Sequence, residues 1–225
     1  MAKNSDFNRL TLNEQDYIKA IFSLTYESGE KEIGTNKLAD KLNLSPGSVN
    51  LMVKKIKSKN IVNYEKYGKI SLTDEGKKFA ILLIRKHRLW ETFLCDYLNF
   101  SWDEVHQIAE QLEHIKSEKL IDKLDEFMDF PKKDPHGSLI PSKSGNYHIE
   151  KFRLLSEIGI NKVHTVASIN DENEELLKYA SKIGIELGSK IKIIEKRKFD
   201  NSYEVMIDDK IEQLSEIFAQ NIYIK

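Results

Sequence analysis

Four residues within one short stretch carry metal-binding side chains: His106, Glu110, Glu113 and His114, in EVHQIAEQLEHIKSE. An α-helix turns by about 100° per residue, so Val105, Ile108, Ala109, Leu112 and Ile115 gather in one apolar arc. On the same wheel the two histidines and two glutamates share a flank about 100° wide beside that arc. RKHRLWE repeats the pattern, with His87 and Glu91 at the i, i+4 spacing that lets two side chains grip one ion. Imidazole with carboxylate suits Mn(II), Fe(II), Co(II), Ni(II) and Zn(II). The plain alternative is a solvated helix flank. Catalysis is not expected, nor a small-molecule substrate. Glu110-x-x-Glu113-His114 lacks the paired histidines of zinc hydrolases, and the chain has no Gly-rich phosphate loop or nucleophile elbow.

These residues need helices to position them, and the chain supplies several. Asp74 or Thr73 caps a long helix over TDEGKKFAILLIRKHRLWETFLCDYL. A second helix is predicted over Trp102–Lys116 and a third over Ser117–Phe130. The stripe Leu120, Ile121, Leu124, Phe127 and Met128 suits a core or a subunit interface. PKKDPHGSLIPSKSGNY then holds three of the four prolines and reads as a connection. Beyond it VHTVASI, KIKIIEKRKF and SYEVMID alternate as strands around one helix, DENEELLKYASKIG, ended by Gly184. A helical turn and a last strand close the chain.

The opening third has another character. NEQDYIKAIFSLTY reads as a helix. Thr35 or Asn36 caps a short helix to Leu42, and Asn43–Ser45 turn. Ser45 caps a further helix with Pro46 at its first position. IVNYEKYGKISLT reads as a hairpin turning at Tyr67-Gly68. Together they spell a winged helix-turn-helix. The start of the second helix of such a motif enters the major groove of DNA. Here it carries Ser45, Pro46, Gly47, Ser48, Asn50 and Leu51, while Lys54, Lys55, Lys66 and Lys69 are placed to meet phosphates. From Lys31 to Lys69 nine lysines face three acids, a net +6; from Ser101 to Phe130 nine acids face three lysines, a net −6. One region suits a polyanion and the other suits cations.

At 225 residues the chain has room for two or three small domains. The polar start MAKNSDFNRL has no apolar core of a signal peptide, and no run of about 18 apolar residues suggests a membrane span. Cys95 stands alone in an apolar pattern, which predicts a buried, inert thiol in a reducing cytoplasm.

NEQDYIKAIF, SPGSVNLMVKKI, YEKYGKISLT, RKHRLWE, EVHQIAEQLEH and DPHGSLIP together resemble the diphtheria toxin repressor family of metal-dependent regulators, in its three-domain manganese-sensing branch. The resemblance implies a mainly α fold with a β C-terminal domain. A winged helix-turn-helix would span 1–73, a helical dimerisation and metal-binding domain 74–147, and an SH3-like (FeoA-like) domain 148–225. It implies a homodimeric repressor that binds palindromic double-stranded operator DNA when metal-loaded and controls metal-uptake genes. Two metal sites per subunit are implied. One would use Asp16, Glu110, Glu113 and His114. The other would use His87, Glu91 and His106, with Asp134 and a C-terminal ligand, Glu172 or else Glu175. Iron-sensing members have methionine at the place of Asp16 and cysteine at that of Glu110. The acids here make the site harder and point to Mn(II), ahead of Fe(II), Co(II), Ni(II) or Zn(II). Two-domain manganese regulators have glutamate where Lys19 stands, which argues against their binuclear site. An iron(II)-dependent repressor and a metal-independent winged-helix regulator are the alternatives. Lys54→Ala should lower affinity for every DNA sequence and flatten its salt dependence in fluorescence-anisotropy titrations; an unchanged salt slope counts against the phosphate contact.

Overall fold

The computed structural model describes residues 10–65 and 68–225. Lys66 and Tyr67, at the expected wing turn, lie outside the described residues. The chain divides into two compact units. The first takes residues up to His87, with Gln111–Leu124 and Pro141–Ile149. The second takes Arg88–Glu110, Asp125–Ile140 and Glu150–Lys225.

In the first unit, α1 (Leu12–Phe22) starts at a reciprocal cap. The Thr11 N–H donates to Glu14 Oε2 at 2.8 Å, and the Glu14 N–H donates to Thr11 Oγ1 at 3.4 Å. The expected helix to Tyr26 changes winding at Ser23–Glu27, which forms a π turn. There the Thr25 hydroxyl donates to the Ile21 carbonyl at 2.6 Å, a local bond that competes with regular backbone pairing. Helix α2 (Thr35–Leu42) follows β1 (Ile33–Gly34), a short strand that sequence pattern does not reveal. Gly34 takes the N-cap place expected of Thr35 or Asn36. Asn43, with φ 53°, closes α2 in the left-handed conformation that Asn tolerates. Helix α3 (Pro46–Lys57) has the Ser45 cap as expected, with the Ser48 N–H bonded to Ser45 Oγ at 3.2 Å. Strands β2 (Val62–Tyr64) and β3 (Lys69–Leu72) pair antiparallel, and β1 adds on the other side of β3. Ile18, Ile21, Phe22, Leu38, Val49, Val53, Ile56 and Ile70 are buried in one core. This is the winged helix-turn-helix read from the sequence.

Helix α4 (Asp74–Leu98) has the expected length. The next two are shorter than expected: α5 is Val105–Leu112 and α6 is Glu118–Phe127. Ser117 is the reason for the break, since its hydroxyl and carbonyl accept from the Leu120 N–H, starting α6 afresh. Glu113 and His114 therefore sit in the turn after α5.

In the second unit, β4 (Arg153–Leu154), β5 (Val163–Ile169), β6 (Lys190–Lys196), β7 (Tyr203–Ile207), β8 (Lys210–Leu214) and β9 (Ile222–Ile224) form an antiparallel sheet ordered β4-β9-β5-β6-β7-β8. Strand β5 pairs with β6 over its first half and with β9 over its second, with a bulge at Val166–Ser168. Helices α7 (Glu174–Lys182) and α8 (Glu216–Ala219) cover a core of Leu177, Ile169, Ile193 and Tyr203. The fold is mainly α with a β C-terminal domain of SH3-like type. Cys95 is half-buried rather than buried, and burial with the Asp96 and Glu91 charges pushes its thiol pKa up. No helix among the described residues is long and apolar enough to cross a membrane.

Gly76 shows how tightly α4 starts against the wing: a Cβ there would come within 2.2 Å of the Ile61 carbonyl oxygen. Gly76→Ala should lower the urea midpoint by the equivalent of about 1–3 kcal/mol; an unchanged midpoint would show that the backbone yields freely.

Candidate metal centre

Among the described residues, each unit holds potential ligands that lie close together. In the first unit, Asp16 of α1 meets Glu113 and His114 of the turn after α5. Their ligand atoms lie within 4.8 Å of one another. His114 Nε2 is 3.2 Å from Asp16 Oδ1, and its Nδ1 is 2.9 Å from Gln15 Oε1. Gln15 in turn donates to the Leu10 carbonyl, which holds the amide in place. Glu113 is fully buried. Its Oε2 accepts from Lys19 Nζ at 2.6 Å and lies 2.6 Å from His87 Nδ1. Glu113 Oε1 is buried with no hydrogen-bond partner among the described residues. A buried, unmatched carboxylate oxygen beside an aspartate and an imidazole suits a divalent cation.

In the second unit, Glu91 of α4, His106 of α5 and Asp171 bring ligand atoms within 4.8 Å of one another. His106 Nδ1 lies 3.3 Å from Glu91 Oε1 and 4.0 Å from Asp171 Oδ2. His136 Nδ1 is 3.8 Å from each of these two carboxylates. Glu91, Asp134 and His136 form an overlapping buried group. Glu110, half-exposed at the end of the unit, lies 3.4 Å from His106 Nε2.

The sequence reading missed His136 and Asp171. His136 stands two residues after Asp134 in the same DPHG turn. Asp134 Oδ1 accepts from the backbone N–H groups of His136 and Ser138, both at 2.9 Å, and shapes that turn. The Ile169 N–H donates to the His136 carbonyl at 3.1 Å, tying the turn to the end of β5, two residues before Asp171. Gly137, at φ 89°, permits this approach: a Cβ would lie 2.3 Å from the Ala167 carbonyl oxygen. His136 Nε2 is 2.7 Å from the Trp102 carbonyl, and its ring stacks on that of Trp102. The structure thus brings in Asp171, one residue before the expected Glu172. Glu172 and Glu175 are exposed, and Glu175 lies 3.4 Å from Lys178. Asn173 is the cause: it caps α7 by accepting from the Leu176 N–H, which turns the residues around it outward.

Electrostatics mark this second group. Burial pushes the Asp134 carboxyl up to about 7, the Glu91 charge adds to the rise, and Arg88 opposes it. The Arg88 Nε is 3.4 Å from Asp134 Oδ2. Burial alone would lower the pKa of His136, but Glu91, Asp171 and Asp134 outweigh it and raise the ring to about 9. His136 Nδ1 has no hydrogen-bond partner among the described residues.

The expected DNA-facing side chains divide. Ser45, Pro46, Gly47, Ser48, Leu51, Lys54, Lys55 and Lys69 are exposed. Asn50 is half-buried, and its side-chain oxygen accepts from Tyr64 Oη at 2.7 Å and Thr35 Oγ1 at 3.4 Å, linking α3 to the wing and α2. Lys55 lies 3.2 Å from the buried Glu14, and Lys69 pairs with Glu32.

Residues 9–70 match the model of an iron dependent repressor N-terminal DNA-binding domain. Residues 73–142 match an iron dependent repressor metal binding and dimerisation domain, and 153–225 a FeoA domain. A solved manganese-dependent transcriptional repressor in complex with manganese is similar at TM-score 0.87 and 34% identity, over 94% of this chain and 98% of that one. The transcriptional regulator MntR of Oceanobacillus iheyensis is 31% identical over 55% of this chain and 82% of its own. A probable metal transport system membrane protein of Chlamydia trachomatis is 42% identical over 74 residues; the match spans 33% of this chain and only 16% of that protein.

The sign of the His136 shift sets a pH dependence. A folded pKa near 9 against an ordinary 6.5 stabilises the metal-free protein fully below about pH 6.5, and this is lost as pH rises through about 9. The raised Asp134 acts in the same direction at lower pH, between its ordinary 3.8 and about 7. The melting temperature of chelator-treated protein should therefore fall from pH 6.5 to 9, and His136→Gln should flatten that fall. An equally steep fall in the variant would remove His136 as its source.

Proposed function

The chain belongs to the diphtheria toxin repressor family of metal-dependent transcriptional regulators, and from that membership we propose that it is a manganese-dependent homodimeric repressor that binds palindromic operator DNA. The observation that carries this reading is the pair of partly buried His/Asp/Glu groups, one containing Asp16 of the winged helix-turn-helix. Manganese-uptake genes are the proposed targets. The proposed domains are 1–73, 74–147 and 148–225.

We assign Asp16, Glu113 and His114, with Glu110 one turn earlier on α5, to one ion. Glu91, His106, Asp134, His136 and Asp171 are assigned to the other, with His87 one turn before Glu91 on α4. Asp171 replaces Glu172 and Glu175 as the proposed C-terminal ligand. Oxygen-rich donor sets of this kind suit Mn(II), and the absence of thiolate disfavours softer ions. When bound, the ion supplies the positive charge that lets several carboxylates share one small volume. Asp16 holds α1 to the turn carrying Glu113 and His114. Glu14, next but one to Asp16, holds α3 through Lys55 and Lys59. Fixing α1 thereby fixes the recognition helix. Two such helices about 34 Å apart in a dimer fit successive major grooves. Dimerisation is supported by an exposed apolar group, Tyr97, Leu98, Phe100, Phe127 and Phe130. Tyr97 and Phe127 already pack there with their rings tilted, centroids 4.9 Å apart.

The test is a titration of a selected palindromic duplex with protein in Mn(II), Fe(II) or Zn(II), each against a chelated control. Binding that ignores the chelator sinks metal dependence, and stronger activation by Fe(II) than Mn(II) favours the iron reading. Asp16→Ala should abolish the metal stimulation, with the dimer intact by light scattering; full stimulation in that variant would sink the α1 linkage.

A further inference from the structure

Leu51 is an apolar side chain left in solvent on the face that α3 would present to DNA. It is 71% exposed, whereas Val49, Met52, Val53 and Ile56 of the same helix are buried or half-buried. Gly47 and Ser48 stand one turn before it and Lys54 and Lys55 one turn after, so all five share one helix face. That face is open at Gly47, where a Cβ would meet only Ser45 Oγ, at 3.9 Å. The polar side chains nearby are already engaged. Ser45 Oγ accepts from the Ser48 N–H at 3.2 Å, and the two hydroxyl oxygens lie 2.9 Å apart. The Asn50 side-chain oxygen accepts from Tyr64 Oη at 2.7 Å and from Thr35 Oγ1 at 3.4 Å, which takes both of its lone pairs. An asparagine reads adenine by giving one hydrogen bond and accepting another, and this one has its acceptor occupied. What α3 offers to base edges is therefore chiefly apolar.

We propose that Leu51 reads the C5-methyl group of thymine in the major groove, so that the operator carries a thymine at a fixed place in each half-site. The inference rests on the reading of the chain as a DNA-binding repressor. The thymine methyl is the one apolar group that the four base pairs display in that groove. Contact removes it and the exposed leucine from water together, which is favourable. The placement fits, because the first turns of a recognition helix point at base edges. Lys54, one turn further on and exposed, is placed for a phosphate, and the local surplus of lysine selects a polyanion over an apolar protein partner. The leucine carries no charge, so it adds sequence preference without adding to the salt dependence that the lysines set. Leu51 is a specificity-determining residue.

Palindromic duplexes selected from a random pool with the full chain and Mn(II) supply the probe. Each thymine is replaced in turn, in both half-sites at once, by deoxyuridine, which keeps every hydrogen-bonding group and lacks only the C5-methyl. In fluorescence-anisotropy titrations, one such replacement should weaken wild-type binding about four-fold per half-site, the worth of one buried methyl. Leu51→Ala, a substitution on the surface, should bind the thymine duplex more weakly and be indifferent to that same replacement. A scan in which no replacement weakens wild type, or in which Leu51→Ala shows the same penalty as wild type, overturns the proposal. Selection that succeeds equally with a chelator present sinks the manganese reading, and the scan on that duplex still decides the role of Leu51. Selection that enriches no duplex in either condition overturns both.

Discussion

Buried carboxylates set the terms on which this structure is built. Glu14, Glu91, Glu113 and Asp134 are all shielded from water, where an unpaired charge is strongly disfavoured. Each finds positive or hydrogen-bonding company in a different way. Glu14 takes two lysines from the α3 region, Lys55 and Lys59, and also caps α1 through the Thr11 N–H. Glu113 takes Lys19 and His87. Asp134 takes two backbone N–H groups on one oxygen and Arg88 on the other. Glu91 faces His106 and His136. Glu14 is served by tethered lysines and its pKa is lowered; although burial pushes it up, those partners win. Asp134 is pushed up instead, chiefly by burial and then by the Glu91 charge, which Arg88 and His136 oppose. The contrast separates a carboxylate whose partners outweigh its burial from one whose partners do not, and the second gains more from an added cation.

The elements around these groups are arranged to serve them. The DPHG turn is the clearest case. It needs Asp134 to bind two N–H groups, Gly137 to lie against the Ala167 carbonyl, and Ile169 to fix the His136 carbonyl. None of these contacts is made by a ligand atom of His136, yet together they decide where its ring goes. Trp102 completes the placement, with its carbonyl on His136 Nε2 and its indole stacked on the ring. Trp102 Nε1 also donates to Ser181 Oγ of α7, so one tryptophan joins the segment before α5 to the helix after Asp171. Orientation by surrounding hydrogen bonds is what gives an imidazole ligand its direction.

How much of this could be read from the chain follows from the range of each interaction. The helix-turn-helix is local: Ser45 and Pro46 start α3, Asn43 ends α2, and both signals lie within a few residues of what they control. The His87–Glu91 and His106–Glu110 pairs follow from helical spacing alone. The breaks around α5 were not legible in the same way. The apolar period of EVHQIAEQLEHIKSE runs on past Leu112, and only the competing cap at Ser117 stops it. Strand β1 has two residues and exists because β3 offers a free edge, a non-local cause. Among the acids around the start of α7 the resemblance ranks Glu172 ahead of Glu175 and passes over Asp171; the pairing around β5 and the cap made by Asn173 bring Asp171 to within 4.0 Å of His106 instead. His136 was within sight in DPHG, but a histidine in a turn carries no periodicity to reveal which way it faces.

Helix α1 shows why so few residues can link two distant tasks. Glu14 bonds toward Lys55 and Lys59, at and just beyond the end of α3. Gln15 and Asp16 meet the two nitrogens of His114. Lys19 meets Glu113 and His87. A single helical turn and a half therefore touches the recognition helix on one side and the ligand-bearing turn on the other. Such a segment needs no long chain of intermediates to carry a displacement, because it is itself the rigid body that both sites hold. Its buried residues, Tyr17, Ile18, Ile21 and Phe22, fix it in the core of the winged domain. Val49, Val53 and Ile56 of α3 lie in the same core, so burial as well as the Glu14 ion pairs holds α1 to α3.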